Sequence, residues 1–193
     1  MVSRRSANRF VQSHNEHGMP KRTPYIALLR AVNVGGTGKL PMADLKAMCE
    51  KLGFDAVRTY IASGNVIFHC AASESEVKAR LEDRLERYAA KRVDVFVRTG
   101  EEMRDVARAN PFPSALPKAT VAMFLDAKPP AATLHEVTGR ADEQLMLGKR
   151  EIYIAYGAAG MARSKLKLPR TLVGTARNMN TVATLAEMAL EGR

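Results

Sequence analysis

The chain has 193 residues, room for one ordinary domain or two small ones, and its 46% hydrophobic and 26% charged content excludes disordered, collagen-like and coiled-coil chains. Two cysteines, Cys49 and Cys70, are too few for a disulfide framework, and the apolar stretch Tyr25 to Val34 is broken by Arg30, which excludes a membrane span. The net charge of +10, from 30 Lys and Arg against 20 Asp and Glu, is unevenly placed. Arg4, Arg5, Arg9, Lys21 and Arg22 face Glu16 alone near the start, and no acidic residue occurs from Ile152 to Ala186, where Arg163, Lys165, Lys167, Arg170 and Arg177 stand. Basic balance of this kind points to phosphate-bearing partners, and the second cluster carries more weight because the first lies in a tail.

Residues 1–23 read as a flexible basic tail without the sustained apolar run of a secretory signal. Met19, opening MPKRTPYIALL, is the expected start of the ordered protein. Together with the lack of paired cysteines, this places the protein in a reducing cytoplasm, with no membrane partner.

Tyr25 to Val34 predicts a strand, followed by the loop Gly35, Gly36, Thr37, Gly38. Pro41 opens a helix on which Met42, Leu45, Met48, Cys49 and Leu52 recur until Gly53 stops it. Val57 to Ala62 and Val66 to Cys70 are strands joined through Ser63, Gly64 and Asn65. Ser73 and Glu76 form a capping box for a helix with the stripe Val77, Leu81, Leu85, Tyr88, and Val93 to Val97 closes the unit as a strand. The order β-α-β-β-α-β over residues 24–98 is that of a ferredoxin-like unit.

Thr99 and Glu102 repeat the capping box, and residues 99–118, ending in a Pro-rich stretch, read as a linker helix and segment. Residues 119–193 predict a strand (Thr120 to Leu125), a weak helix after Pro129 and Pro130, strands at Gln144 to Leu147 and Glu151 to Tyr156, a basic segment from Ser164 to Val173, a strand near Thr175 and a helix from about Thr181 to Leu190. The fold class expected is therefore α+β, two tandem ferredoxin-like units with sheets largely covered. The first strand, apolar at successive positions, fits a sheet covered on both faces rather than one open for stacking on RNA bases.

Three constellations carry the candidate chemistry. Arg30, Asn33, Gly35, Gly36 and Lys39 surround a loop between strand and helix whose backbone N–H groups suit an anion, although Asn33 and Leu40 break the spacing of a nucleoside-triphosphate loop. Arg58, Ser63, Gly64 and Asn65 sit around the hairpin turn, where turn chemistry explains them equally well. Arg163, Ser164 and Lys165, with Arg177, Asn178, Asn180 and Thr181 behind them, gather donors near a helix N-terminus, and Ser164 is itself a candidate helix cap. His69 and Cys70 are adjacent on a strand and point to opposite faces, so no metal site is expected, and no cofactor either.

The blocks LLRAVNVGG, VRTYIASGNVIF, VRTGEE, NPF, GKREIYIAY, RSKL and TARNMNTVATLAE, in that order from about Tyr25 to Met188, resemble the bacterial family catalogued as domain of unknown function 1697. The resemblance implies an α/β architecture of two ferredoxin-like units and no established activity. The chain departs from it with Ala31 where Gly is common, Ala62 where Gln is common and Met179 where Trp is frequent, and the last removes an aromatic stacking surface. The matched polar positions hold no Asp, Glu, His or Cys, which favours anion recognition over turnover. The leading expectation is binding of a nucleic acid or nucleotide. The alternatives are a small-molecule enzyme with a cleft between the units, using Ser63, Tyr60 or Lys165, and a protein-interaction module without ligand.

Overall fold

The computed structural model describes residues 22–33, 39–158 and 160–191. Among them are eight strands and four α-helices: β1 (Thr23–Leu29), α1 (Met42–Lys51), β2 (Asp55–Tyr60), β3 (Asn65–Cys70), α2 (Glu74–Ala89), β4 (Val95–Thr99), α3 (Gly100–Arg108), β5 (Thr120–Leu125), β6 (Gln144–Leu147), β7 (Glu151–Ala155), β8 (Gly174–Asn178) and α4 (Met179–Leu190). The strands form two four-stranded antiparallel sheets, ordered β2-β3-β1-β4 and β6-β7-β5-β8, so β5 to β8 repeat the arrangement of β1 to β4. The fold is thus a mixed α/β one. None of its described helices is long and apolar enough to cross a membrane.

Local chemistry sets the helix starts. Both capping boxes form: Ser73 accepts the Glu76 N–H while the Glu76 carboxylate accepts the Ser73 N–H, and Thr99 and Glu102 do the same for α3. Asn178 caps α4 by accepting the Thr181 N–H at 2.9 Å.

The alternation of β1 supplies two cores. Tyr25, Ala27 and Leu29 face α1 and α2 in one cluster, where Phe54 and Phe68 stack with ring centroids 4.3 Å apart. Ile26 and Leu28 face the other way, into a central cluster built with Met103 and Val106 of α3, Phe124 of β5 and Leu185 of α4. Both faces of the first sheet are therefore covered, as its apolar first strand predicts, and the central cluster joins the two sheets through α3 and α4. A buried Leu or Phe of this kind is worth about 1.5–3 kcal/mol, so the two halves are not separable at low cost. A third cluster, Val121, Leu125, Ile152 and Ile154, lies on the far face of the second sheet.

The second half departs from the expected element order. Only a short 3-10 helix, Ala131–His135, follows Pro130, and the described residues between β7 and β8 form no α-helix. Ser164 therefore caps no helix. Leu166, Leu168 and Leu172 of that segment instead pack on the third cluster, covering the sheet where a helix was expected. The physical reason lies in the spacing: apolar residues at 166 and 168 alternate with Lys165 and Lys167, a period of two that suits an extended cover rather than a helix.

Candidate functional site

Of the sixteen residues singled out from the sequence, the fourteen described ones fall into a buried frame, a mostly exposed strap and loop set, and residues that serve α4. The frame centres on Arg177 of β8, which is 8% exposed. Its Nε donates to Asn65 Oδ1 at 2.5 Å, Nη1 to Thr175 Oγ1 at 2.8 Å and the Ala176 carbonyl at 2.9 Å, and Nη2 to the carbonyls of Leu29 and Ser63, both at 2.9 Å. A weaker contact reaches the Gly64 carbonyl at 3.4 Å. Asn65, fully buried, also donates from Nδ2 to the Tyr60 carbonyl and Ser63 Oγ, each at 3.0 Å. Gly64 has φ of +76°, and a side chain there would collide with Val32 and lie 2.9 Å from Leu29 Cβ. Burial pushes the Arg177 pKa down to about 10, which leaves the cation intact at neutral pH. Arg177, Ser63, Gly64 and Asn65 thus bind one another across the two sheets, and their donors are spent on the protein.

Asn33 is the second structural member. At φ +55° its side chain donates to the carbonyls of Ala62 (2.8 Å) and Leu40 (2.9 Å) and accepts the Leu40 N–H at 2.7 Å, pinning both ends of the loop it precedes. Gly35 and Gly36 lie outside the described residues. Arg30 and Lys39 flank that loop and are exposed, Arg30 paired with Asp94 at 3.0 Å. Pro41 supplies no side-chain cap to α1.

Arg163, Ser164 and Lys165 stand elsewhere, on the cover of the second sheet. Exposure alternates along this strap: Arg163, Lys165 and Lys167 are exposed, while Ser164, Leu166 and Leu168 are half-buried. Ser164 donates to the Glu143 carboxylate and accepts the Leu166 N–H at 3.1 Å, and Lys167 pairs backbone to backbone with Thr138. The Ser164 hydroxyl, followed by the Ala141 N–H, holds the Glu143 carboxyl below the usual carboxylate range. Arg163, Lys165, Lys167 and Arg170 form no ion pair with any described residue, whereas Arg30, Arg58, Lys78 and Arg150 all do.

The remaining predicted residues serve α4. Arg58 pairs with Glu191 at 2.8 Å and donates to the Met188 carbonyl at the C-terminal end of the helix, Asn178 is the N-cap, Thr181 is buried, and Asn180 is exposed. The three side chains proposed for an enzymatic reading do not meet: Ser63 is in the frame, Tyr60 packs on the central cluster, and Lys165 is exposed on the strap.

Sequence reasoning passed over Arg98 of β4, which is 2% exposed. It is the counterpart of Arg177: Arg98 lies opposite Ile26 in the β1–β4 pair, Arg177 opposite Ala122 in the β5–β8 pair, and each is followed directly by the N-cap of a helix. Arg98 Nη2 donates to the carbonyls of Leu125 (2.6 Å) and Arg150 (2.9 Å), as Arg177 does to Leu29 and Gly64. The backbone repeats this, since the Leu29 N–H binds the Gly64 carbonyl and the Leu125 N–H the Arg150 carbonyl. Each half therefore sends one arginine into the end of the other half's first strand. The signal was present in VRT-GEE and ARN-MNT, an arginine one residue before a capping side chain.

Residues 22–153 match the family described as protein of unknown function DUF1697, and the chain belongs to that family. It is similar in structure to the conserved bacterial protein SP0830 from Streptococcus pneumoniae, with a TM-score of 0.74 and 24% sequence identity over 88% of this chain and 99% of that one. No curated protein matches.

Proposed function

We propose that the protein binds a phosphate-bearing chain, single-stranded nucleic acid, along the strap from Arg163 to Arg170, and that each half is a ferredoxin-like unit, the second with the strap in place of a helix. The observation that carries the binding reading is the alternation of the strap. Its inward side chains anchor it to the sheet while Arg163, Lys165 and Lys167 face solvent with no carboxylate partner. Cations at every second residue of an extended segment stand about 7 Å apart, a row suited to a polyanion rather than to one phosphate. Arg30 and Lys39, beside the Gly35-Gly36 loop, supply a second cationic point, and Arg177, Asn65 and Asn33 act as frame. Two buried free thiols, Cys49 and Cys70, fit a cytoplasmic setting.

The test is fluorescence anisotropy of the full chain with labelled single-stranded RNA as a function of salt. Four strap cations each neutralising one phosphate give a log-log salt slope of roughly −3, and changing Arg163 and Lys165 to Ala reduces its magnitude by roughly 1.4. Competition by a mononucleotide at comparable concentration would move the reading to a nucleotide. Absence of binding at low salt would overturn it.

A further inference from the structure

We propose that the cavity between α3 and the β6–β7 hairpin is a binding site for a small uncharged organic molecule that carries a carbonyl-type acceptor. The cavity encloses about 350 Å³, within the range of small-ligand clefts, and its walls include Val106 of α3, Ala109 at that helix's C-cap, and Met146 and Leu147 from β6. Arg98 lines it as well.

Arg98 is the first reason. Its Nη1 donates to the Val97 carbonyl and its Nη2 to those of Leu125 and Arg150, while its Nε–H has no acceptor among the described residues. In the other half the matching Arg177 Nε is taken by Asn65. The residue at that place beside Arg98 is Glu151, since Asn65 faces Leu28 and Glu151 faces Phe124 in equivalent strand pairs. The Glu151 carboxylate is spent on the hairpin turn, accepting the N–H groups of Lys149 (3.1 Å) and Arg150 (3.0 Å). Two of the Arg98 N–H groups, that of Nε and one of Nη1, are thereby left without a protein acceptor on a side chain that lines the cavity, open to water or to a ligand.

The second reason is the space itself. On the saturated side Tyr60 and Met188 pack on the central cluster. Ala109 lies as far beyond the α3 cap Thr99 as Met188 lies beyond the α4 cap Asn178, so the open side has a methyl group where the other has a long side chain.

Charge selects the ligand class. Arg150 is already held by Glu74 and Glu102, each at 2.7 Å, and Glu151 and Asp105 add two carboxylates against Arg98 and Lys149. Within the lining Glu102, Asp105 and Glu151 balance Arg98, Lys149 and Arg150, and Glu74 adds a further carboxylate on Arg150, so an anion finds no excess of positive charge, while a neutral carbonyl oxygen satisfies Nε–H and the apolar walls take the rest.

The site is separate from the strap, so its test is independent of nucleic-acid binding. The ¹⁵N-labelled full chain is titrated with benzamide, benzoate and toluene, three probes of one size. Benzamide is expected to shift the Arg98 Nε–H and the Gly148 and Lys149 amides saturably, with the other two about tenfold weaker. Ala109→Met, or Val106→Phe if the first variant loses its dispersed spectrum, is expected to abolish those shifts. No saturable shift with benzamide, tighter binding of benzoate, or shifts unchanged in the filled variant would each overturn the proposal.

Discussion

Replacing Arg177 with Met tests whether the buried arginine is frame or ligand contact. The substitution keeps most of the side-chain volume and removes every donor. The carbonyls of Leu29, Ser63 and Ala176 each lose a bond of 2.9 Å to a charged group, and Asn65 Oδ1 loses one of 2.5 Å. The Gly64 carbonyl keeps the Leu29 N–H, and Asn65 keeps its two Nδ2 bonds. Bonds to charged groups are worth about 1.5–3 kcal/mol each, but relief of the cation's desolvation offsets part of the loss, so the net cost follows other broken buried networks at about 3–5 kcal/mol. For a chain of this size that lowers Tm by roughly 6–20 °C. Urea unfolding followed by circular dichroism measures it, with Arg163→Ala as the control, expected within about 0.5 kcal/mol of the parent. A cost for Arg177→Met below about 1 kcal/mol with an unchanged m-value would refute the reasoning.

Gly64→Ala places a side chain at positive φ against Val32 and Leu29, and the strain and overpacking together cost about 2–5 kcal/mol in the same assay; a neutral effect would contradict the packing. Glu143 has a folded pKa below its unfolded one, so its contribution to stability is present above the ordinary carboxylate range and disappears as pH falls through the folded pKa. Ser164→Ala is expected to raise the Glu143 pKa toward the ordinary value, read by ¹³C NMR of its carboxyl carbon, and an unmoved titration would remove the Ser164 clasp from the account. Cys49 is fully buried, and burial pushes its thiol up to about 12. It is therefore expected to resist a disulfide reagent until the protein unfolds, and stability should fall as pH rises above the ordinary thiol range; rapid reaction in the native state would show an open core.

The first half was legible because its signals are local. Two capping boxes, a Gly stop after Leu52 and an unbroken apolar run in β1 decide the helices and strands before any tertiary contact is made. The strap was misread because a Ser opening a basic segment fits a cap, while the true partner of Ser164, Glu143, lies twenty-one positions earlier and is reached only through the fold. Arg177 and Asn65 were singled out for the right reason, a concentration of donors, yet Arg177 spends its donors largely on Asn65 Oδ1 and the Leu29 and Ser63 carbonyls of the opposite half, which no spacing in the chain announces. Arg98 was passed over because an arginine inside an apolar strand carries no sign of what it will face. Its meaning comes from the correspondence with Arg177, visible once the two sheets are seen to share one order.

The central claim is that the exposed cations of the strap, and not the buried arginines, meet the phosphate backbone. Titrating the ¹⁵N-labelled chain with a short single-stranded RNA at low salt tests it most directly. The account predicts that the backbone amides from Arg163 to Arg170 shift together and saturably, while the Nε–H signals of Arg98 and Arg177 stay in place. Saturable shifts at the Arg177 Nε–H with a silent strap would contradict it.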